Sequence, residues 1–303
     1  MIANCSKNQV ADRASTGSPG IAEPGGWSLV VAVNNDRVFR NSLLASPAVN
    51  GKCQVIVKRG YSSAGAAYNA GLAEARHDVV VFAHQDVYLP AAWLNQFDCA
   101  LQQLARCDPE WGVLGAFGVT RSSSEEFHGY CYSTGLQRVL GAPFSAPIAA
   151  RSLDELLLVV RRSSGLRFDE SLPGFHLYGT DICLQAEAQN LGSYIISAFC
   201  IHNANGIRYL PVDFWRAYFY LWRKWWKVLP VTTCCTTITK WCVPVAHRLA
   251  TEIKHRFMPK TAGVRCDNVE SLYGRLAQTY PQIFQLAPAP EQGKPELTSC
   301  ESS

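Results

Sequence analysis

Three short runs of β-branched and aromatic residues, Trp27–Val33, Cys53–Val57 and Val79–Ala83, recur early in the chain with helix-length segments between them. Runs this short and apolar fit strands buried on both faces of a sheet. Strands of one direction need crossover segments of that kind to join them. The succession therefore predicts an α/β fold, with a mostly parallel central sheet and helices on both faces. The crossovers read as helices over 37–46, closed by Pro47, and over 64–76, with Ala67, Gly71, Leu72 and Ala75 on one face. A third helix near 91–106 leads to a strand over Gly112–Val119. After a less regular stretch (120–150), a strand is expected over Glu155–Arg161, a helix over Asp181–Leu191 and a final strand over Ser193–Ile201 that runs into His202.

At 303 residues, 48% apolar and 17% charged, the chain can bury a substantial core. A formal charge of +4 is too small to argue for nucleic acid as a partner. Its distribution says more. Residues 211–260 hold nine Lys and Arg against Asp213 and Glu252, so this segment is +7 and the remainder −3. Twelve cysteines without a Cys-x-x-Cys spacing read as free thiols of a cytoplasmic protein rather than a disulfide framework. No apolar stretch reaches the roughly 18 residues a membrane-spanning helix needs. Residues 1–26, polar and rich in Ser, Gly and Pro, read as a disordered leader, and 287–303 as a disordered tail. Between them we expect a core domain over 27–210 and a basic, aromatic helical appendage over 211–286.

Open sheets bind ligands outside the carboxyl ends of their strands, and the run at 79–83 ends in His84-Gln85-Asp86. A carboxylate and an imidazole two residues apart there can hold a divalent cation or steer a phosphate; equally, they can be the polar turn after a buried strand. Asp181 and His202 fall on the same expected rim. Asp181 also reads as a helix cap, and His202 as a surface histidine.

The order of these pieces resembles that of GT-A glycosyltransferases of the family-2 type, nearest to the bacterial group named after the streptomycin-biosynthesis StrF domain. Asn69-x-Gly71-Leu72-x-x-Ala75, followed by the strand and His84-Gln85-Asp86, resembles the block that runs into the family's Asp-x-Asp region. Phe168-Asp169-Glu170 and Tyr178-Gly179-Thr180-Asp181 resemble its Phe-Asp-Glu and acceptor-side segments. Lys224-Trp225-x-x-x-Leu229-Pro230 looks like a segment that follows the catalytic domain. The resemblance spans roughly residues 27–230 and implies a GT-A fold with a C-terminal helical appendage. It implies a metal-dependent, inverting transfer of a sugar from a nucleotide-sugar donor to an acceptor hydroxyl on a glycan, a lipid-linked molecule or a small molecule. Mn²⁺ or Mg²⁺ would neutralise the departing diphosphate. Asp86 would hold the metal with His202 as second ligand, and Asp181 would be the base. Asn34 and Asn35 would contact the nucleotide, with Asn69 and His84 in the donor-binding block.

Two positions depart from the family pattern. His84 stands where the first acid of Asp-x-Asp is expected, leaving one anionic ligand fewer. Lys58-Arg59-Gly60 replaces the acidic residue that often reads uracil; Arg59 either contacts phosphate or is a solvated turn residue. The missing acid motivates an alternative, a non-catalytic nucleotide- or carbohydrate-binding protein of the same fold. A nucleotidyltransferase is a third reading, but no Gly-rich basic triphosphate loop supports it. Residues 212–229 combine Arg and Lys with Trp and Phe at helical spacing. That helix either packs on the catalytic domain with its basic stripe solvated, or lies in a membrane interface. The second case would place the protein peripherally at the inner face of the membrane.

Overall fold

The computed structural model describes residues 26–49, 51, 53–122, 125–206, 210–241, 245, 246, 250, 253 and 264–284. The expected leader and tail lie outside the described residues, apart from Gly26. The first half alternates as the apolar runs require: β1 (Trp27–Ala32), α1 (Asp36–Asn41), β2 (Cys53–Lys58), α2 (Ala64–Glu74), β3 (Val79–Ala83), β4 (Val87–Tyr88) and α3 (Ala91–Cys107). Five strands follow: β5 (Val113–Gly115), β6 (Phe117–Thr120), β7 (Phe127–Ser133), β8 (Arg138–Gly141) and β9 (Ile148–Leu153). Then come β10 (Leu157–Arg161), α4 (Tyr178–Ala188), β11 (Ser193–Ile195), β12 (Cys200–His202) and α5 (Val212–Lys224). The small hairpin β13 (Val231–Thr232) and β14 (Thr237–Ile238) precedes α6 (Val269–Thr279).

β1 lies between β2 and β3, parallel to both, in a register that sets Val30 opposite Ile56 and Phe82. Side chains alternate across a strand, so each strand feeds two cores. Val30, Val80 and Phe82 join the core under α2, α4 and α5 with Tyr68, Leu72, Ile182 and Phe214. Leu29, Val31, Val81 and Ala83 join the core under α3 with Trp93, Phe97 and Leu104. This two-sided burial makes the runs continuous rather than alternating. Gly71 lets α2 sit directly on β1: a Cβ there would lie 2.2 Å from Val30 Cγ1.

The expected α/β class and flanking helices are present, but the sheet is mixed rather than mostly parallel. Only its first edge, β2-β1-β3, is continuously parallel; β10 enters antiparallel between β3 and β5. β5 in turn pairs parallel with β11, and β11 antiparallel with β9, so the two directions alternate irregularly across the middle of the sheet. The 120–150 stretch forms β7, β8 and the start of β9, and β7 runs antiparallel to both β6 and β8. The expected strands Gly112–Val119 and Ser193–Ile201 each divide in two, because the chain changes partners midway.

The order runs β2-β1-β3-β10-β5-β11-β9-β6-β7-β12-β4. β3 and β4 are separated by only His84, Gln85 and Asp86, yet β4 closes the far end of that order. The sheet therefore curls until its far end returns to β3, and these three residues bridge the gap.

Candidate functional site

The curl explains why distant residues converge. β4 pairs antiparallel with β12, setting His202 opposite Val87, and the Asn203 N–H donates to the Asp86 carbonyl at 2.8 Å. His84, Asp86 and His202 thereby come together, with one ligand atom from each within 4.8 Å of the others. His202 Nε2 stands 3.5 Å from Asp86 Oδ1, and the two imidazole rings lie 5.7 Å apart. All three residues are half-buried.

The charges of the cluster pull in different directions. Burial would raise the Asp86 pKa, but His202, His84 and Arg265 hold its carboxyl well below the usual carboxylate range. Burial lowers the His84 pKa against the pull of Asp86, which favours the neutral imidazole that a metal requires. His202 moves the other way: burial disfavours its charge, but the hydrogen bond and charge of Asp86 raise its pKa. Two imidazoles and one carboxylate fit a first-row divalent ion such as Mn²⁺ better than Mg²⁺, which prefers oxygen throughout.

A cleft of about 350 Å³ opens beside this cluster, lined by Asn34, Lys58, Tyr61, Tyr68, Phe175 and the His84–Asp86 bridge. Gln85 knits its floor. Its Oε1 accepts from the backbone N–H groups of Asn34 and Asn35 at 3.1 and 3.0 Å, and its Nε2 donates to Asn34 Oδ1 at 2.5 Å. Asn34 thus lines the cleft, while the Asn35 side chain caps α1 by accepting from Val38 N–H at 3.1 Å. Tyr178 Oη lies 3.0 Å from His84 Nε2 and donates to the Glu155 carbonyl at 3.1 Å, orienting the imidazole from behind.

The remaining expected residues stand elsewhere. Arg59 turns outward to Asp36 at 2.6 Å and is not among the residues lining the cleft. Asn69 joins α2 to the Phe168-Asp169-Glu170 segment, accepting from Phe168 N–H at 3.0 Å and donating to Phe168 O at 2.8 Å and to Glu170 Oε1 at 2.9 Å. Asp181 is buried, and both its oxygens are engaged. Trp225 Nε1 donates to Oδ1 at 2.7 Å, Gln185 Nε2 donates to Oδ2 at 2.7 Å, and Lys224 Nζ lies 2.8 Å from Oδ1 and 2.9 Å from Oδ2. Lys224 also reaches Asp169 at 2.6 Å. Three donors on one carboxylate leave little lone-pair capacity for a base, and they account for the Lys224-Trp225 motif as the link between α4 and α5.

Gln85, Tyr178 and Arg265 were not singled out from the sequence. Gln85 and Tyr178 sit inside motifs that were; Arg265, 179 positions beyond Asp86, carries no local signal. Its Nη2 donates to Asp86 Oδ2 at 3.0 Å. Among the described residues no helix is long and apolar enough to cross a membrane. Cys131, Cys183 and Cys200 are buried free thiols.

No protein-family profile matches the chain. A curated protein from Fuscovulum blasticum, described as "ATP synthase subunits region ORF 6", is 31% identical over 133 residues, or 42% of this chain. The match spans 52% of that relative, about half its length. Among solved structures, the chain is similar to the mannosyltransferase PcManGT from Pyrobaculum calidifontis in complex with GDP-Man and Mn²⁺, with TM-score 0.43, 12% identity, and 84% of this chain and 81% of that one covered. It is also similar to TarS 1-349 of S. aureus in complex with UDP-GlcNAc, with TM-score 0.42, 13% identity and 65% of each chain covered. At this level of superposition the overlap assigns neither reaction nor ligand to this chain.

Proposed function

We propose that the protein is a glycosyltransferase of the GT-A type that moves a sugar from a nucleotide-sugar donor to an acceptor hydroxyl with the help of a divalent cation. The observation that carries this reading is the convergence of His84, Asp86 and His202, the first two of which line the cleft beyond β1 and β3. The family-2 and StrF-like motifs support it from the sequence side. A cation at the cluster would neutralise the diphosphate as the sugar–oxygen bond breaks. The chain's own residues supply the rest: Gln85 and Asn34 shape the floor under the nucleotide, and Tyr61 and Phe175 offer apolar walls. Tyr178 fixes the orientation of His84. Of the two ions usual for such transfers, the imidazole ligands favour Mn²⁺ over Mg²⁺. We infer inversion from the family-2 resemblance: the acceptor oxygen bonds to the anomeric carbon as the bond to the diphosphate breaks, and the hydroxyl proton passes to water.

The acceptor is a glycan, a lipid-linked molecule or a small molecule. A peripheral place at the inner face of a membrane is supported by one stripe of α5 and the turn after it, where Val212, Arg216, Phe219, Arg223 and Trp226 are exposed.

Incubation with a panel of nucleotide sugars and Mn²⁺ tests the reading, with donor hydrolysis or transfer expected for at least one. Asp86→Asn should weaken Mn²⁺ binding by at least about tenfold in calorimetry, because it removes the only anionic ligand. Metal-independent binding of nucleotide sugar without turnover would instead favour a non-catalytic binding protein.

A further inference from the structure

Arg265 is fixed against Asp86 by a built support. Its Nε donates to the Asn203 carbonyl at 2.8 Å. The buried Asn203 amide clamps the next residue, accepting from Cys266 N–H and donating to Cys266 O, both at 2.8 Å, while also donating to Ser42 Oγ at 3.2 Å. Behind it, Val269, Leu276 and Ile283 pack with Tyr88, Tyr130, Phe199 and Ile201. The guanidinium is thus held on the one carboxylate of the His84–Asp86–His202 cluster, and it lies only partly exposed (29%).

A divalent cation on Asp86 would share that carboxylate with a positive charge that can swing away only by giving up its hydrogen bond to the Asn203 carbonyl. At half-buried groups this repulsion is screened less than on an open surface. A nucleoside diphosphate relieves it, because its phosphate oxygens can bind the cation and accept a bidentate pair of hydrogen bonds from the guanidinium at once.

We propose that Arg265 couples the two ligands of this site: it weakens the binding of a divalent cation alone and strengthens binding of the cation together with a nucleoside diphosphate. By linkage each ligand then raises the affinity of the other by the same factor. A donor site built in this way takes up its cation with the nucleotide rather than before it. The diphosphate half rests on the glycosyl-transfer reading; the cation half does not.

Calorimetry or electron paramagnetic resonance with MnCl₂, alone and with UDP or GDP, tests the coupling. In the wild-type protein Mn²⁺ should bind at least about tenfold more tightly with the nucleotide present. Arg265→Gln should bind Mn²⁺ alone several-fold more tightly than wild type and should lose most of the nucleotide effect. Arg265→Lys keeps the charge and should bind Mn²⁺ alone as weakly as wild type. If Arg265→Gln binds Mn²⁺ alone no more tightly, the coupling is overturned while the transfer reading stands. If wild type binds neither UDP nor GDP, the transfer reading falls, and the Mn²⁺ comparison alone decides the role of Arg265. Thermal melting checks that each variant folds. Should Arg265→Gln fail to fold, Arg265→Met, which also removes the charge, takes its place in the same comparison.

Discussion

Glu155 shows how far a single residue's role depends on what the chain folds around it. The backbone N–H groups of Gly179 and Leu177, at the start of α4, favour its charged form. Burial, reinforced by Asp154, pushes its pKa up to about 8. A carboxyl whose folded pKa is raised binds its proton more tightly in the folded state. It therefore destabilises the fold progressively as pH rises from the ordinary carboxylate range through about 8. Denaturant titrations of wild type and Glu155→Gln between pH 5 and pH 9 should converge at the acid end. The variant should become relatively more stable toward the alkaline end; a pH-independent difference would contradict the assignment. In the sequence Glu155 reads only as the start of a strand. Asp86 was legible because it ends an apolar run. Glu155, Tyr178 and Arg265 were not, because their partners lie across the fold.

Asp181 belongs to the scale of elements, where it ties α4 to α5 through Lys224 and Trp225. Burial raises its pKa, although Lys224 and Trp225 oppose that. An Asn in its place would turn one oxygen into a donor facing Gln185 or Lys224, both donors already. Asp181→Asn should therefore destabilise the protein by about 1–3 kcal/mol, read as a lower melting temperature. Lost transfer with an unchanged melting temperature would restore Asp181 as the base. The same scale explains the divided strands. The runs at 112–119 and 193–201 read as single strands because nearly all their residues are buried, with Phe117, Tyr194 and Ser197 half-buried. Where the backbone changes pairing partner leaves no mark on hydrophobicity. Helix α3 was legible almost to its ends because it shows one apolar face over its length; α2, rich in Ala and Gly all round, was legible as a helix-length segment between two strands.

Over the whole molecule, charge and curvature are unevenly placed. Within the basic segment 211–260, α5 and the turn after it present an exposed stripe on which Phe219 and Trp226 remain 48% and 42% exposed among Arg216, Arg223 and Lys227. Phe214, Trp215, Tyr218 and Leu221, on the opposite face of α5, are buried against the main core. Packing and a solvated cationic aromatic face are thus both present, on different sides of one helix. We propose that the outer side meets an anionic lipid surface. The protein should then sediment with phosphatidylglycerol vesicles at low salt and not with phosphatidylcholine vesicles, and Phe219→Ser with Trp226→Ser should reduce the sedimented fraction severalfold. Equal sedimentation with both lipids, or none with either, would exclude an electrostatic membrane contact.

The sequence alone determined the α/β class, the two-faced burial of β1 and β3, and the polar step at His84–Asp86, because periodicity and composition are local properties that burial imposes on neighbouring residues. Only the tertiary structure decided that the sheet is mixed and curls back on itself. That curl joins His202 to Asp86 through β4 and β12, sets Arg265 on the same carboxylate and leaves Asp181 bound to α5. These outcomes depend on pairings between residues far apart in the chain, whose energies are settled by strand register and packing rather than by any local pattern.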